Sequence, residues 1–227
     1  MKRMIISILA LCGVAYSASA QDSFTFDLGP GSKEQNVDIR VGVVGALNMS
    51  TFAVADPQFD AGIGMKAGLD FGVAANFRFM KRNELSTVET GILAFQPELK
   101  FSSIGAEYDK GTIGLNYLMV PLMFQVYPTD NLYLELGPQL ALNLSSTPNN
   151  VALNKYQVNL ENLKANDVML ALGAGYSANG FSAGIRYCMG NSPIASNLPL
   201  KNNVIQVNLG YKFQIKKKQT STMQINL

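Results

Sequence analysis

Between Gly64 and Phe79 the odd positions carry Met65, Ala67, Leu69, Phe71, Val73, Ala75, Phe77 and Phe79, while the even ones carry Lys66, Gly68, Asp70, Gly72, Ala74, Asn76 and Arg78. Side chains alternate across a β-strand, so an apolar set repeating every two residues over this length predicts a strand with one greasy face and excludes a helix. The pattern returns from Leu132 to Ser145, where every even position up to Leu144 is Leu or Pro138. It returns again near the C-terminus, where Ile205, Val207, Leu209, Tyr211 and Phe213 oppose Gln206, Asn208, Gly210 and Lys212. Weaker versions cover Val37–Ser50, Thr87–Phe101, Asp167–Tyr176 and Phe181–Met189. An eighth strand over Thr112–Tyr127 is apolar on both faces around Leu118–Phe124, which leaves its register open.

The connections add an independent signal. The expected links are Thr51–Ile63, Met80–Ser86, Ser102–Gly111, Pro128–Asn131, Ser146–Asn166, Ser177–Gly180 and Gly190–Asn202, so long and short ones alternate. That parity predicts an all-β, eight-stranded antiparallel up-and-down barrel, with short turns at one end and longer loops at the other. The short links include Pro128-Thr129-Asp130-Asn131 and Ser177-Ala178-Asn179-Gly180, both rich in turn formers.

A soluble barrel would alternate as well, with its apolar face inside. The less apolar face decides between them. Water-facing strands favour Lys, Glu and Thr. Here that face holds Gly68, Gly72, Ala74, Gly137, Ala141, Gly173, Gly175, Gly184 and Gly210, small residues suited to a narrow lumen. The apolar face ends in Tyr176, Tyr187, Tyr211 and Phe213, where an aromatic girdle would meet the lipid interface. The expectation is therefore a transmembrane barrel over residues 37–213, closed because lipid tolerates no unpaired strand edge. Pro97, Pro121 and Pro138 fall inside strands, where each removes a ladder donor, and the expected accommodation is a bulge or lumen water.

The first 20 residues differ in kind. Lys2 and Arg3 precede an apolar stretch from Met4 to Val14, and Ala18-Ser19-Ala20 offers the small residues read by signal peptidase. Cleavage is expected between Ala20 and Gln21. Lipidation at Cys12 is the alternative, but Leu11 is bulky where a lipoprotein signal wants a small residue. Residues 21–36 read as a loose lead-in and 214–227 as a polar tail. Loss of Lys2 and Arg3 leaves 16 basic and 16 acidic residues, so nucleic acid is not an expected partner. Only Cys188 would remain, which excludes an intramolecular disulfide.

The strings Leu115-Asn116-Tyr117-Leu118-Met119-Val120-Pro121-Leu122, Tyr127-Pro128 and Leu132-Tyr133-Leu134-Glu135-Leu136-Gly137-Pro138-Gln139 resemble the PorT-type outer-membrane β-barrel domain of Bacteroidetes. Gln96-Pro97-Glu98-Leu99 and Leu209-Gly210-Tyr211-Lys212-Phe213 fit the same pattern. The resemblance implies an eight-stranded outer-membrane barrel, with some members serving protein secretion and gliding. It also places all three prolines in recurrent positions. This chain carries Met119 where the pattern often has Glu, and 14 residues follow Phe213.

The candidate chemistry is sparse. With no His, the chain lacks the usual base for nucleophilic catalysis and the commonest metal ligand, so neither an enzyme nor a metal or cofactor is expected. Gly173-Ala174-Gly175 loosely matches a dinucleotide fingerprint, but Asn179-Gly180 turns into another strand where a helix should begin. Arg40, Lys66, Asp70, Arg78, Glu98, Lys100, Glu135 and Arg186 share the lumen phase in both signs, and an ion-paired plug is the expected reading. A narrow channel is the alternative. Tyr211 and Phe213 are the expected C-terminal assembly signal. The expected partners are outer-membrane lipid, the barrel assembly machinery, and secretion or surface proteins. The long link Ser146–Asn166, with Leu153, Val158, Leu160 and Leu163, is the expected contact surface.

Overall fold

The computed structural model describes residues 36–54, 63–82, 89–108, 111–146, 151–153, 156–158, 166–195 and 198–215. The expected leader with Ala20 and Gln21, the lead-in before Asn36, and the tail from residue 216 lie outside the described residues. Ten strands occur in chain order: β1 (Asn36–Val54), β2 (Gly64–Arg82), β3 (Glu89–Tyr108), β4 (Gly111–Val126), β5 (Leu132–Ser146), β6 (Val151–Leu153), β7 (Tyr156–Val158), β8 (Asn166–Ala178), β9 (Phe181–Ala195) and β10 (Leu198–Gln214). Eight of them close into one antiparallel up-and-down barrel, β1-β10-β9-β8-β5-β4-β3-β2, and β6 pairs with β7 as a small hairpin within the β5–β8 connection. The seam between first and last strands runs unbroken from Arg40 opposite Gln214 to Val54 opposite Leu200.

A strand of roughly 9–11 residues crosses a bilayer. Several of these are nearly twice that, with 20 residues in β3 and 17 in β10. The expected loops Ser102–Gly111 and Gly190–Asn202 are therefore largely strand. β3 and β4 stay paired through Ile104 opposite Leu115 to Tyr108 opposite Gly111, and β9 and β10 meet again at Ala195 opposite Leu198 after register shifts near Lys201. We call this the distal end, and the opposite one the terminal end, since β1 begins and β10 finishes there.

The extra length has its own polarity. Toward the terminal end, strands face outward with large apolar side chains, among them Phe71 (64% exposed), Leu209 (63%), Leu134 and Leu172. Their inward positions are polar or small. Beyond Phe101 on β3 the outward phase turns to Ser103 and Glu107 while Ile104 and Ala106 face in; on β4 the outward Thr112 and Asn116 oppose the inward Ile113, Leu115 and Tyr117. On β10 the inward Leu200 and Val204 are buried, with Lys201 and Asn203 on the outward phase. Phe52, Ile104, Ile113, Leu115, Met169, Ile194 and Leu200 belong to one buried cluster that fills the distal lumen. Each such side chain gains about 1.5–3 kcal/mol by leaving water. The distal end is built like a soluble barrel and the remainder like a membrane one. That inversion explains why β4 reads as apolar on both faces.

The three prolines lie side by side. Pro97 on β3 is opposite Leu122 on β4, Pro121 is opposite Gln139 on β5, and Pro138 is opposite Leu170 on β8. No bulge accompanies them. The register is the same before and after, from Gln96 opposite Met123 to Lys100 opposite Met119, and from Pro121 opposite Gln139 to Phe124 opposite Leu136. Each proline forfeits its own ladder donor, and pairing resumes within two or three residues.

Two glycine-dependent features tighten the barrel. A side chain on Gly72 would collide with the Leu99 carbonyl of the next strand, so only glycine permits that approach. Asn179 and Gly180, at φ of 52° and 87°, form the two-residue link between β8 and β9, the left-handed pair that a tight hairpin turn requires. The Gly180 carbonyl accepts a 2.8 Å hydrogen bond from the Lys212 backbone N–H, fastening the turn to β10.

Candidate functional site: the charged lumen

Inward positions on seven strands meet in the polar part of the lumen. Five of the eight singled-out charges form a continuous chain there. Lys100 Nζ lies 3.3 Å from Asp70 Oδ2 and 3.4 Å from Glu98 Oε2. Arg186 donates to both Glu98 oxygens, Nη1 to Oε2 at 3.1 Å and Nη2 to Oε1 at 2.9 Å, and its Nε donates to Glu135 Oε1 at 2.7 Å. All five side chains are at most 3% exposed.

Amides close the remaining valences. Gln96 Nε2 donates to Glu98 Oε1 at 2.8 Å, and Gln125 Nε2 to Glu135 Oε2 at 3.0 Å. Gln206 Nε2 donates to Asp70 Oδ2 at 2.8 Å, and Asn48 Nδ2 donates to Asp70 Oδ1. Asn76 bridges Gln96 and Gln125. Every oxygen of Glu98 and Glu135 thus accepts a hydrogen bond, leaving neither carboxylate free to take a proton from a substrate. Among the described residues no group of acidic, Cys or His side chains could hold a metal ion.

The other three charges stand apart from this chain. Arg40 Nε pairs with Asp38 at 2.8 Å. Arg78 donates from Nε to the Gly91 carbonyl at 2.9 Å and from Nη1 to the Asp130 carbonyl at 3.1 Å, and its guanidinium lies 3.9 Å over the Tyr127 ring. Lys66 lies toward the distal end, with Nζ 3.4 Å from Ser103 Oγ.

Sequence reasoning missed Lys212, whose buried Nζ donates to Gln96 Oε1 at 2.6 Å. With it, three cations, Lys100, Arg186 and Lys212, share the lumen with the carboxylates Asp70, Glu98 and Glu135, but only Lys100 and Arg186 reach them at ion-pair distance. Its inward phase between Tyr211 and Phe213 was the available signal. Asp167 was missed too; it accepts from Asn202 Nδ2 at 2.9 Å, beside the apolar cluster. Tyr211 and Phe213 lie exposed on the outer wall, the Tyr211 ring 4.7 Å from that of Phe181. Of Ser146–Asn166, the structure describes Ser146, the hairpin β6–β7 and Asn166; Leu160 and Leu163 lie outside the described residues.

A closed barrel with an apolar outer band, a polar lumen crossed by buried ion pairs and an apolar distal filling is a membrane-spanning β-barrel protein. Its sequence agrees. The chain belongs to the outer membrane protein beta-barrel domain family, whose model matches residues 20–196. It is an outer-membrane protein. No curated protein matches it. Among solved structures it is similar to Neisserial surface protein A, at 14% identity over 78% of this chain and 99% of that one, with a TM-score of 0.44. Another is Ail, the attachment invasion locus protein of Yersinia pestis, in complex with the heparin analogue sucrose octasulfate (13% identity, 80% and 100% covered, TM-score 0.36). A third is the outer membrane enzyme PagL (14%, 76% and 99%, TM-score 0.39).

Proposed function

We propose that this is a non-enzymatic outer-membrane barrel with a sealed lumen, whose role is exercised at its distal end and outer connections. One observation carries the reading: a buried layer of linked ion pairs lies beneath a fully buried apolar one. Water-filled passage would have to break Arg186 from two carboxylates and then wet Ile104, Leu115 and Leu200, all of them fully buried. A catalytic role finds no support, because the lumen carboxylates are already occupied. In this reading a leader is removed between Ala20 and Gln21, the terminal end faces the periplasm, and the distal end faces outward. The assembly machinery recognises Tyr211 and Phe213. A PorT-type role as an accessory of protein secretion is compatible with it and rests on the sequence resemblance alone.

Planar-bilayer recording on the purified protein tests the sealed lumen. The expected trace is flat at ordinary salt and voltage. Large, steady unitary currents from the unmodified protein would replace this reading with a channel.

A further inference from the structure

The terminal end of the lumen opens into a recess that the ion-paired chain does not use. It has a volume of about 270 Å³, and Arg40, Arg78 and Lys212 line it together with Tyr127, Asp130 and Asn179. The three cations come from three adjacent strands: Arg78 on β2 is opposite Asp38 on β1, Arg40 follows two residues on, and Lys212 on β10 is opposite Gly42. Inward-facing positions this close in register aim three positive charges at one space.

Their donors are only partly spent. Lys212 Nζ donates to Gln96, a neutral partner, and has no ion pair among the described residues. Arg78 donates to two backbone carbonyls and stacks on Tyr127, so its plane is fixed while its charge meets no carboxylate among the described residues. Arg40 uses Nε on Asp38, leaving its two terminal nitrogens without an acceptor among the described residues. One exposed carboxylate, Asp130, lines the recess against these three. Arg78 meets no carboxylate and Lys212 none at ion-pair distance among the described residues, while Arg40 is held by Asp38 and Asp130 lies in the lining, so the recess, closed above by the lumen network, is net positive and attracts an anion. A single guanidinium fork suits a flat carboxylate. Donors converging from three strands suit a tetrahedral oxyanion better.

We propose that this recess is a binding site for a phosphoryl group, presented either by a soluble phosphate or by an anionic lipid headgroup at the same membrane face. The test uses the full chain in neutral detergent, titrated calorimetrically with inorganic phosphate and with acetate at constant ionic strength. Saturable binding of phosphate in preference to acetate is expected. Lys212→Gln and Arg78→Gln should each weaken it about tenfold or more, as loss of one charge-assisted hydrogen bond does. Lys201→Gln, at the distal end, should not. Should the buried variants fail to fold, Asn179→Asp keeps the test alive: Asp tolerates the left-handed turn, and there it adds negative charge to the recess without entering the wall. It too should weaken binding. Nanodiscs then separate the sources, because phosphatidylglycerol competes with phosphate only if the headgroup reaches the recess. The absence of saturable binding, equal binding of acetate, or equal loss in Lys201→Gln would overturn the proposal.

Discussion

Replacing Arg186 by Met should be the most damaging single change in the polar lumen. The guanidinium makes three hydrogen bonds of 2.7–3.1 Å to two carboxylates, and every group involved is at most 3% exposed. Without it, Glu98 keeps Lys100 at 3.4 Å and Glu135 keeps only the neutral Gln125 amide. Breaking a buried pair by removing one partner costs about 3–5 kcal/mol, because the partner left behind stays charged and desolvated. Removing a balanced pair is different. Arg186→Met combined with Glu135→Gln leaves Asp70 and Glu98 against Lys100 and Lys212, so the double variant should regain about 2 kcal/mol of the loss. The chain has no Trp, so unfolding in urea is best followed by far-ultraviolet circular dichroism or by the mobility difference between folded and heated barrel on gels. Two results would refute the reasoning: a single variant within about 1 kcal/mol of the parent, or a double variant no more stable than the single one.

Four other substitutions and one truncation probe the rest of the barrel. On the outward face of β8, Leu172→Arg should cost about 2–4 kcal/mol of stability in lipid, whereas Asn166→Arg, six residues toward the distal end on the same face, should be nearly neutral; equal effects would place the lipid band wrongly. Leu115→Ala should cost about 2–5 kcal/mol through the cavity it leaves in the distal cluster, measured by the same urea titration, and a neutral result would mean that the cluster is loosely packed. Truncation after Ile215 keeps the backbone bond from the Ile215 N–H to the Ile39 carbonyl at 3.0 Å, and should leave heat-modifiable barrel in the outer membrane. Phe213→Ala should lower its amount, and the opposite ranking would locate the assembly signal in the tail.

The faces of β2, β5 and β10 were legible because their alternation keeps one sign over most of the strand. β4 was not. Its outward residues run from Thr112 and Asn116 to Leu118 and Phe124, while its inward ones run from Ile113 and Leu115 to Gln125, so a count over the whole strand averages two opposite patterns. The same reversal disguised the ends of β3 and β9 as loops. Ser103, Glu107 and Asn191 look like loop residues until Ile104, Ala106 and Ile194 are read as the inward phase of a continuing ladder. Within the site, the charge pairs separated by one strand were accessible in principle, since Asp70 and Ser102 are direct neighbours. The contact from Arg186 to Glu98 was not. It spans the lumen between residues 88 apart, and no local pattern encodes which long side chains meet across an enclosed space.

The reversal of polarity along the strands also sets a kinetic problem. If the barrel enters the bilayer from the side of its termini, the distal segment leads, and its outer shell of Ser103, Asn116, Asn166, Lys201 and Asn203 must be carried through hydrocarbon before it reaches water again. Finished, the structure pays nothing for that shell; in transit, every polar group in it is desolvated. Unassisted insertion should therefore slow steeply as the hydrocarbon thickens, and a local thinning of the membrane would speed this barrel more than one whose strands stop at the lipid surface.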